Sequence, residues 1–278
     1  LVEPVIELFG RAPPLAIGAA ALGIGGLLQA VIALPSLRKA WPDLRKRIGL
    51  VVLGAVAVAI YPLAFYSSMH LAGVAIGSVV SLASAPLASG VLERAVEGHR
   101  LNRWWMISAG WGMVGSILLC VSKINEPASS PTATVSGVVL GLVAGTTYAT
   151  YSWVAHRLMA EGISRAASMG AVFGGGGTLL MPVLIVTGAP LIATSQAFLV
   201  ASYMALVPMF IGYLLFGYGL TKVPASTATT ITLTEPAIAA ILAVVIVGER
   251  LNTVGWAGLA IIAAVLLILA LVPVTAGE

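Results

Sequence analysis

Long apolar stretches separated by short polar breaks occupy most of the chain. A membrane-spanning helix needs about 20 mostly apolar residues, and these stretches reach roughly that length with few charges. The pattern predicts nine full spans, at 13–35, 49–71, 75–92, 104–121, 136–155, 167–188, 197–219, 226–247 and 254–272. We therefore expect an all-α polytopic membrane protein.

The composition supports this fold class. Of the 278 residues, 59% are hydrophobic and 9% are charged, whereas about a quarter of a soluble domain is charged. The basic residues lie in short runs between apolar stretches, which does not indicate a nucleic-acid partner. The one cysteine, Cys120, lies in an apolar stretch, so neither a disulfide framework nor a thiolate metal site is expected. We expect no metal and no cofactor, and the expected partners are the lipid bilayer and a small solute, with the protein as a monomer.

The lysines and arginines orient the spans, because cytoplasmic loops are enriched in them. With the spans as drawn, one side of the membrane receives the larger set: Arg38, Lys39, Arg45, Lys46, Arg47, Arg94, Arg100, Arg103, Arg157, Arg165 and Lys222. The other side receives Arg11, Lys123 and Arg250. The first side is predicted to be cytoplasmic, and the C-terminus ends there.

The chain repeats itself at a shift of 150 residues. Pro86 aligns with Pro236, and twelve residues later Gly98-His-Arg-Leu-Asn102 aligns with Gly248-Glu-Arg-Leu-Asn252. Both copies of the motif stand between the end of one span and the start of the next. Because an odd number of spans separates them, the copies have opposite orientations. This is the inverted repeat found in many transporters.

The repeat also bears on the start of the chain. Arg11-Ala12 resembles Arg165-Ala166, but only a short segment precedes Arg11, whereas a complete span precedes Arg165. We therefore expect the chain to begin near the end of a first helix in a protein of five plus five helices, and the alternative is a natural nine-span protein. The predicted organisation is a first repeat at 1–121, a periplasmic linker at 122–135 and a second repeat at 136–278.

A proline motif followed by a Gly-x-Arg-Leu turn occurs in each half, as Ser84-Ala-Pro86 with Gly98–Asn102 and as Thr234-Glu-Pro236 with Gly248–Asn252. This pattern resembles the two EamA domains of the drug/metabolite transporter superfamily, although the family usually has Glu where this chain has His99. The length, the aromatic central spans and the stretch Phe65-Tyr-Ser-Ser-Met-His70 most resemble the YddG-type amino-acid exporters of the bacterial inner membrane. The resemblance implies a ten-helix basket with a central cavity for aromatic and other neutral amino acids.

Two prolines and one acid stand out within the spans. Pro86 and Pro236 lie roughly 16–18 Å deep, near the middle of a core of about 30 Å. A proline there removes a hydrogen bond and kinks the helix, so both are candidate hinges or site-lining positions, unless they only shape the bundle. Glu235 is the only acid well inside a predicted span. It is a candidate to bind a substrate ammonium or a coupling cation, and the alternative is a structural acid.

Aromatic side chains with polar tips are typical of cavities for amphiphilic solutes. The candidate lining residues of this kind are Tyr61, Tyr66, His70, Tyr148, Tyr151, Trp153 and Tyr213. Hydroxyl residues on the two proline-containing spans add Ser81, Ser84, Thr230 and Thr234. Each of these residues has an alternative role in helix packing, and small hydroxyl residues in particular let membrane helices approach closely.

The sequence bears on three possible functions. A transporter that works by alternating access accounts for the repeat, the paired prolines and the sparse polar groups inside the spans. An intramembrane enzyme would need a nucleophile with a base or a metal cluster, and no such motif is present. A carrier of another metabolite or drug, such as a purine, a sugar or a cationic drug, is the alternative within the same fold. The absence of basic residues at the span centres favours a neutral or zwitterionic solute.

Overall fold

The computed structural model describes residues 13–98, 103–121, 131–242, 244–245 and 252–271. Within these ranges the regular structure is helical, without a strand. Seven helices precede residue 220: α1 (Pro14–Lys46), α2 (Ile48–Ala72), α3 (Val74–Leu92), α4 (Arg103–Val121), α5 (Pro131–Ala160), α6 (Arg165–Thr187) and α7 (Ser195–Gly219). They are followed by α8, which consists of Ala225–Ile231, a 3₁₀ turn at Thr232–Thr234 and Glu235–Leu242, and by α9 (Thr253–Leu271).

These helices confirm the all-α polytopic class. Six segments of the described residues are long and apolar enough to cross a membrane, and three further predicted spans coincide with α4, α8 and α9. Helices α1 and α5 extend beyond their predicted bounds, α5 at both ends. Helix α1 continues to Lys46 through Pro35 and Pro42. Helix α5 begins at Pro131, inside the predicted linker, because proline suits the first turn of a helix, where its missing N–H has no partner to lose.

The described residues divide into two compact units, and each unit takes segments from both halves of the chain. Unit 1 comprises residues up to 67 and 150–224, and unit 2 comprises 68–149 and 225 onwards. The sequence repeats at 1–121 and 136–278 are therefore not the compact units. Each unit instead contains repeat-related helices from both halves.

Unit 1 is built on the antiparallel pair α1 and α6. Glycines let the two backbones touch: a Cβ atom on Gly177 would lie 2.7 Å from the carbonyl oxygen of Gly23. Further along, a Cβ on Gly170 would lie 2.5 Å from the Cβ of Ala33. The later residue of α1 contacts the earlier residue of α6, so the two helices are antiparallel. The glycine run within Gly174–Gly177 thus serves close packing, as small residues do at membrane helix interfaces.

Unit 2 contains a second antiparallel pair, α4 and α9. Each end of α9 lies 150 residues after the corresponding end of α4, which is the shift of the sequence repeat. A Cβ on Gly115 would lie 2.8 Å from Ile262, and one on Gly112 would lie 3.7 Å from Val265. Since residues 262 and 265 are the repeat equivalents of 112 and 115, the two helices cross at equivalent points in opposite directions.

The proline-containing helices α3 and α8 also pack against each other in unit 2. The Thr229 hydroxyl donates to Ser89 Oγ at 3.3 Å, and the buried Glu93 carboxylate accepts from the Ser226 N–H at 2.8 Å and from its hydroxyl at 2.6 Å. Glu93 thereby satisfies a free N–H at the first turn of α8. The order of these contacts again makes the helices antiparallel, and the repeat is inverted.

Gly98 explains one part of the repeated motif. A π-helical turn at Glu93–Glu97 follows α3, and Gly98 ends it with φ +71°, in the left-handed region that glycine adopts at no steric cost. Its N–H donates to the carbonyl of Arg94 at 3.2 Å. The equivalent Gly248 lies outside the described residues.

Candidate functional site

Helix α8 is broken at its middle, next to the predicted acid and proline. Pro236 has no N–H to donate to the carbonyl of Thr232, the residue four positions earlier. The N–H of Glu235 donates to that carbonyl instead, which is the 3₁₀ pattern and accounts for the turn at Thr232–Thr234. The regular α-helical hydrogen bonding is therefore interrupted just before this proline, and its role as a hinge stays a prediction.

Glu235 lies in this break and its side chain is exposed. It is ten residues from the start of α8, or roughly 15 Å along the helix axis. Leu233 packs against Gly112, at the centre of α4, which also indicates a mid-span depth. A carboxylate facing hydrocarbon costs at least a few kcal/mol, so the surroundings of Glu235 must be polar or hydrated when the group is charged.

Hydroxyl groups surround the break in unit 2. The buried Tyr148 hydrogen-bonds to the side chain of Thr232 and lies within electrostatic range of Glu235. Thr234 is half-buried, and its hydroxyl donates to the carbonyl of Ile231. Of the predicted site residues, Tyr148, Thr234, Glu235 and Pro236 are therefore gathered in this one segment of unit 2.

The other hydroxyl candidates of unit 2 mainly pack helices. Thr230 is buried and accepts a 3.1 Å hydrogen bond from Trp105 Nε1. The Ser81 hydroxyl donates to the carbonyl of Gly77, and that of Ser84 donates to the carbonyl of Val80, each at 2.7 Å. Both serines lie against Gly145, whose lack of a side chain makes room for them. These contacts support helix packing, the alternative role that the sequence left open for these residues.

Two further candidates, Pro86 and His70, have no polar contact of the kind seen around Glu235 in the contacts described. Pro86 is buried, and α3 continues through it as an α-helix. His70 lies in the last turn of α2 and is exposed. A role for either residue in solute binding stays a prediction.

Unit 1 gathers several of the predicted aromatic residues into one cluster. The Tyr151 ring contacts Tyr61 edge-on at a centroid distance of 5.6 Å, and the Tyr151 and Tyr213 hydroxyls hydrogen-bond at 2.6 Å. Phe173, which sequence reasoning missed, contacts both, at 5.3 Å from Tyr151 and 4.7 Å from Tyr213. The position of Phe173 directly before the four glycines was the available signal. Tyr151 is fully buried, whereas Tyr213 is half-buried.

Two further candidates of unit 1 are core residues. Tyr66 packs in an apolar cluster with Ala16, Ile17, Leu191 and Val200. Trp153 is 4% exposed. Both therefore have surroundings typical of packing residues, and their predicted part in solute binding has no direct support in these contacts.

One end of unit 1 is strongly basic. Glu161, in the turn after α5, pairs with Arg47 and accepts from Arg157 Nε at 2.8 Å. The hydrogen bond from Arg47 and, after it, the contacts with Arg157 hold the pKa of the Glu161 carboxyl below its ordinary range. Arg165 and Lys222 lie at the same end, with side-chain cations 5.8 and 6.0 Å from the centre of the Tyr218 ring. No charged residue occurs at the opposite end in the described part of unit 1.

A metal centre has no support in the part of the chain that the structure describes, where no three His, Cys, Asp or Glu side chains come together in a suitable group.

The comparisons with known proteins agree with this architecture. The model of the EamA-like transporter family matches residues 6–121 and again residues 135–271. The chain is 35% identical over 267 residues to the uncharacterized transporter YwfM of Bacillus subtilis (strain 168), covering 94% of this chain and 86% of that protein. A solved crystal structure with 18% identity has the same fold, with a TM-score of 0.75, and the match covers 95% of this chain and 89% of that one. The chain belongs to the EamA-like transporter family and is a multi-pass membrane protein.

Proposed function

We propose that this membrane transporter exports small neutral or zwitterionic metabolites, with aromatic and other neutral amino acids as the main substrate class. The observation that carries the proposal is the position of Glu235, an exposed residue in the break of α8. It lies at mid-span depth beside the hydroxyl residues Thr232 and Tyr148. A carboxylate in such a place is the natural partner of a substrate ammonium group.

The placement of the cations argues against phosphorylated solutes. The described lysines and arginines lie at helix ends or in turns, as with Arg103 at the start of α4 and Arg165 at the start of α6. A sugar phosphate or a nucleotide would need a cation near the middle of the membrane. A solute with one ammonium and an uncharged or aromatic remainder fits the described mid-span groups better.

We further propose that the chain resides in the bacterial inner membrane with its basic end in the cytoplasm. The basic cluster of unit 1 supports this orientation through the positive-inside rule. The C-terminus, which follows α9, then lies on the cytoplasmic side. Alternating access is the expected mode of transport, because inverted repeats supply two equivalent halves that exchange roles.

The test is counterflow in proteoliposomes with a panel of labelled solutes. We expect exchange of phenylalanine and other neutral amino acids, and about 100-fold slower exchange in Glu235→Gln, since the ammonium loses its charged partner. Glu161→Gln, which removes an acid at the membrane surface, is the matched control and should exchange at the wild-type rate. Phenylpropionate, which lacks the ammonium, should be a poor substrate for both proteins.

Two outcomes of this experiment would contradict the proposal. Exchange of a cationic dye, a purine or a sugar with no exchange of any amino acid would assign the chain to another solute class. Equal exchange by wild type and Glu235→Gln would remove the carboxylate from solute binding.

A further inference from the structure

A cavity of about 90 Å³ opens at the basic end of unit 1. This volume exceeds the ~10–15 Å³ that one ordered water requires. Three helices, α1, α6 and α7, supply the lining: Gln29, Ile32, Ala33, Arg165, Ala166, Met169, Gly170 and Leu214. Two of these side chains are polar, one near the inner wall and one near the surface.

Gln29 is the inner polar group, and it is only half satisfied. Its side chain is 1% exposed. Its amide nitrogen donates to the carbonyl of Met209 at 3.4 Å, whereas its amide oxygen has no hydrogen-bond partner among the described residues. Buried polar groups almost always have partners. An acceptor left open beside a cavity points to a ligand that brings an O–H or N–H group.

Arg165 is the outer polar group, and a second cation accompanies it. Its guanidinium donates to the carbonyl of Leu214 at 3.2 Å and lies over the ring of Tyr218, which Lys222 also approaches. Neither cation pairs with a carboxylate within the described residues. Arg165 also begins α6, so the positive end of the helix dipole adds to the field. The mouth of the cavity therefore attracts an anion.

The surface beside the cavity is apolar and open. Ile32, in the lining, is 54% exposed, and Leu215, next to the lining residue Leu214, is 68% exposed. Exposed aliphatic residues on membrane helices face lipid chains. A phospholipid with a hydroxyl-bearing headgroup presents a hydroxyl, a phosphate and an acyl chain in that order. These three groups match the buried acceptor, the cations at the mouth and the apolar surface beside them.

We propose that this cavity binds an anionic phospholipid with a glycerol headgroup. Arg165 and Lys222 bind its phosphate, the Gln29 amide oxygen accepts a hydrogen bond from a headgroup hydroxyl, and an acyl chain lies along Ile32 and Leu215. Basic pockets between helices on the cytoplasmic side are known to take such headgroups. The site is independent of the solute and of the proposed function.

The test is lipid titration of the detergent-purified protein followed by native mass spectrometry. We expect phosphatidylglycerol to bind at least 10-fold more tightly than phosphatidylcholine. The double variant Arg165→Gln with Lys222→Gln should lose this preference. The matched control is Arg38→Gln with Lys39→Gln, which removes two cations from the same predicted side outside the cavity lining, and should change binding less than 2-fold.

Two further variants test the headgroup contact and the phosphate contact separately. Gln29→Leu keeps the volume, and it should lower the preference for phosphatidylglycerol over phosphatidic acid while leaving phosphatidic acid bound. Arg165→Lys keeps the charge and should retain binding, so that loss in the double variant is assigned to the missing charges and not to the missing guanidinium. Equal weakening by both double variants, or displacement of the lipid by millimolar inorganic phosphate, would overturn the lipid site in favour of general electrostatics or a free-anion site.

Discussion

Unit 1 and unit 2 are each built on an antiparallel pair of repeat-related helices, but they place their polar groups differently. In unit 1, α1 and α6 touch through glycines, and the Tyr151 and Tyr213 hydroxyls bond to each other within an aromatic cluster. In unit 2, α8 breaks at mid-span and leaves the Glu235 carboxylate exposed. One repeated sequence therefore yields a closely packed unit and a unit with an open polar group.

The difference shows that the two copies of an inverted repeat need not carry the same functional residues. Position 85, the repeat equivalent of Glu235, is an alanine in α3, and this helix stays continuous through Pro86. The two repeat-related prolines thus stand in different local structure. We infer that substitutions in unit 1 act mainly on stability, and that those near the break in unit 2 act mainly on transport.

The largest expected effect is a steric one in unit 1. Gly177→Ala places a Cβ 2.7 Å from the Gly23 carbonyl oxygen, so α1 and α6 must separate. We expect a loss of about 3 kcal/mol in the free energy of unfolding, measured by denaturation in detergent. Gly49→Ala, where no atom lies within 4 Å, is the control and should be neutral or stabilising by up to ~1 kcal/mol. A stable Gly177→Ala protein would contradict the close-packing role.

A smaller effect is expected at the break in unit 2. Pro236→Ala restores an N–H that can donate to the Thr232 carbonyl and close α8 into a continuous α-helix. We expect roughly 10-fold slower counterflow, or about 1.4 kcal/mol in the activation free energy, with little change in stability. Pro86→Ala should slow transport less than 3-fold. If the two variants slow transport equally, the proposed asymmetry between α3 and α8 is wrong.

Tyr151→Phe tests whether the aromatic cluster of unit 1 only packs. The change removes the 2.6 Å hydrogen bond to Tyr213 and preserves the ring contacts. We expect a loss of about 1 kcal/mol in unfolding free energy and less than a 2-fold change in counterflow. A large loss of transport at full stability would instead assign Tyr151 to solute binding, as the sequence predicted.

The smallest effect concerns pH. Because the arginines lower the pKa of Glu161 in the folded state, this group stabilises the protein above the unfolded pKa of about 4.3. That stability should be lost as the pH falls through the lower, folded-state pKa. Thermal unfolding followed between about pH 6 and pH 3 should therefore show a shallower pH dependence in Glu161→Gln than in wild type. Identical pH profiles would show that the ion pairs contribute nothing, as for many surface pairs.

The sequence predicted much of the fold because membrane helices have a local signature. Apolar runs of sufficient length give the spans, and the repeat at 150 residues gives the inverted arrangement that α4 and α9 display. The ends of α1 and α5 were less predictable, because polar residues in a helix that extends beyond the membrane resemble a loop. Glu235 was identifiable because an acid is unusual inside a span, and Pro236 because it stands in register with Pro86 in the repeat.

By itself, the sequence determined the helical membrane class and the opposite orientation of the repeats, because hydrocarbon demands long helices whatever their neighbours. Only the tertiary structure decided which candidates stand near one another. It brought Tyr148 to Thr232 in unit 2 and Tyr151 to Tyr61 and Tyr213 in unit 1, and it added Phe173 and Gln29 to the residues of interest. Contacts between distant segments depend on how glycines and side chains interlock, and that fit is a property of the packed helices rather than of any one of them.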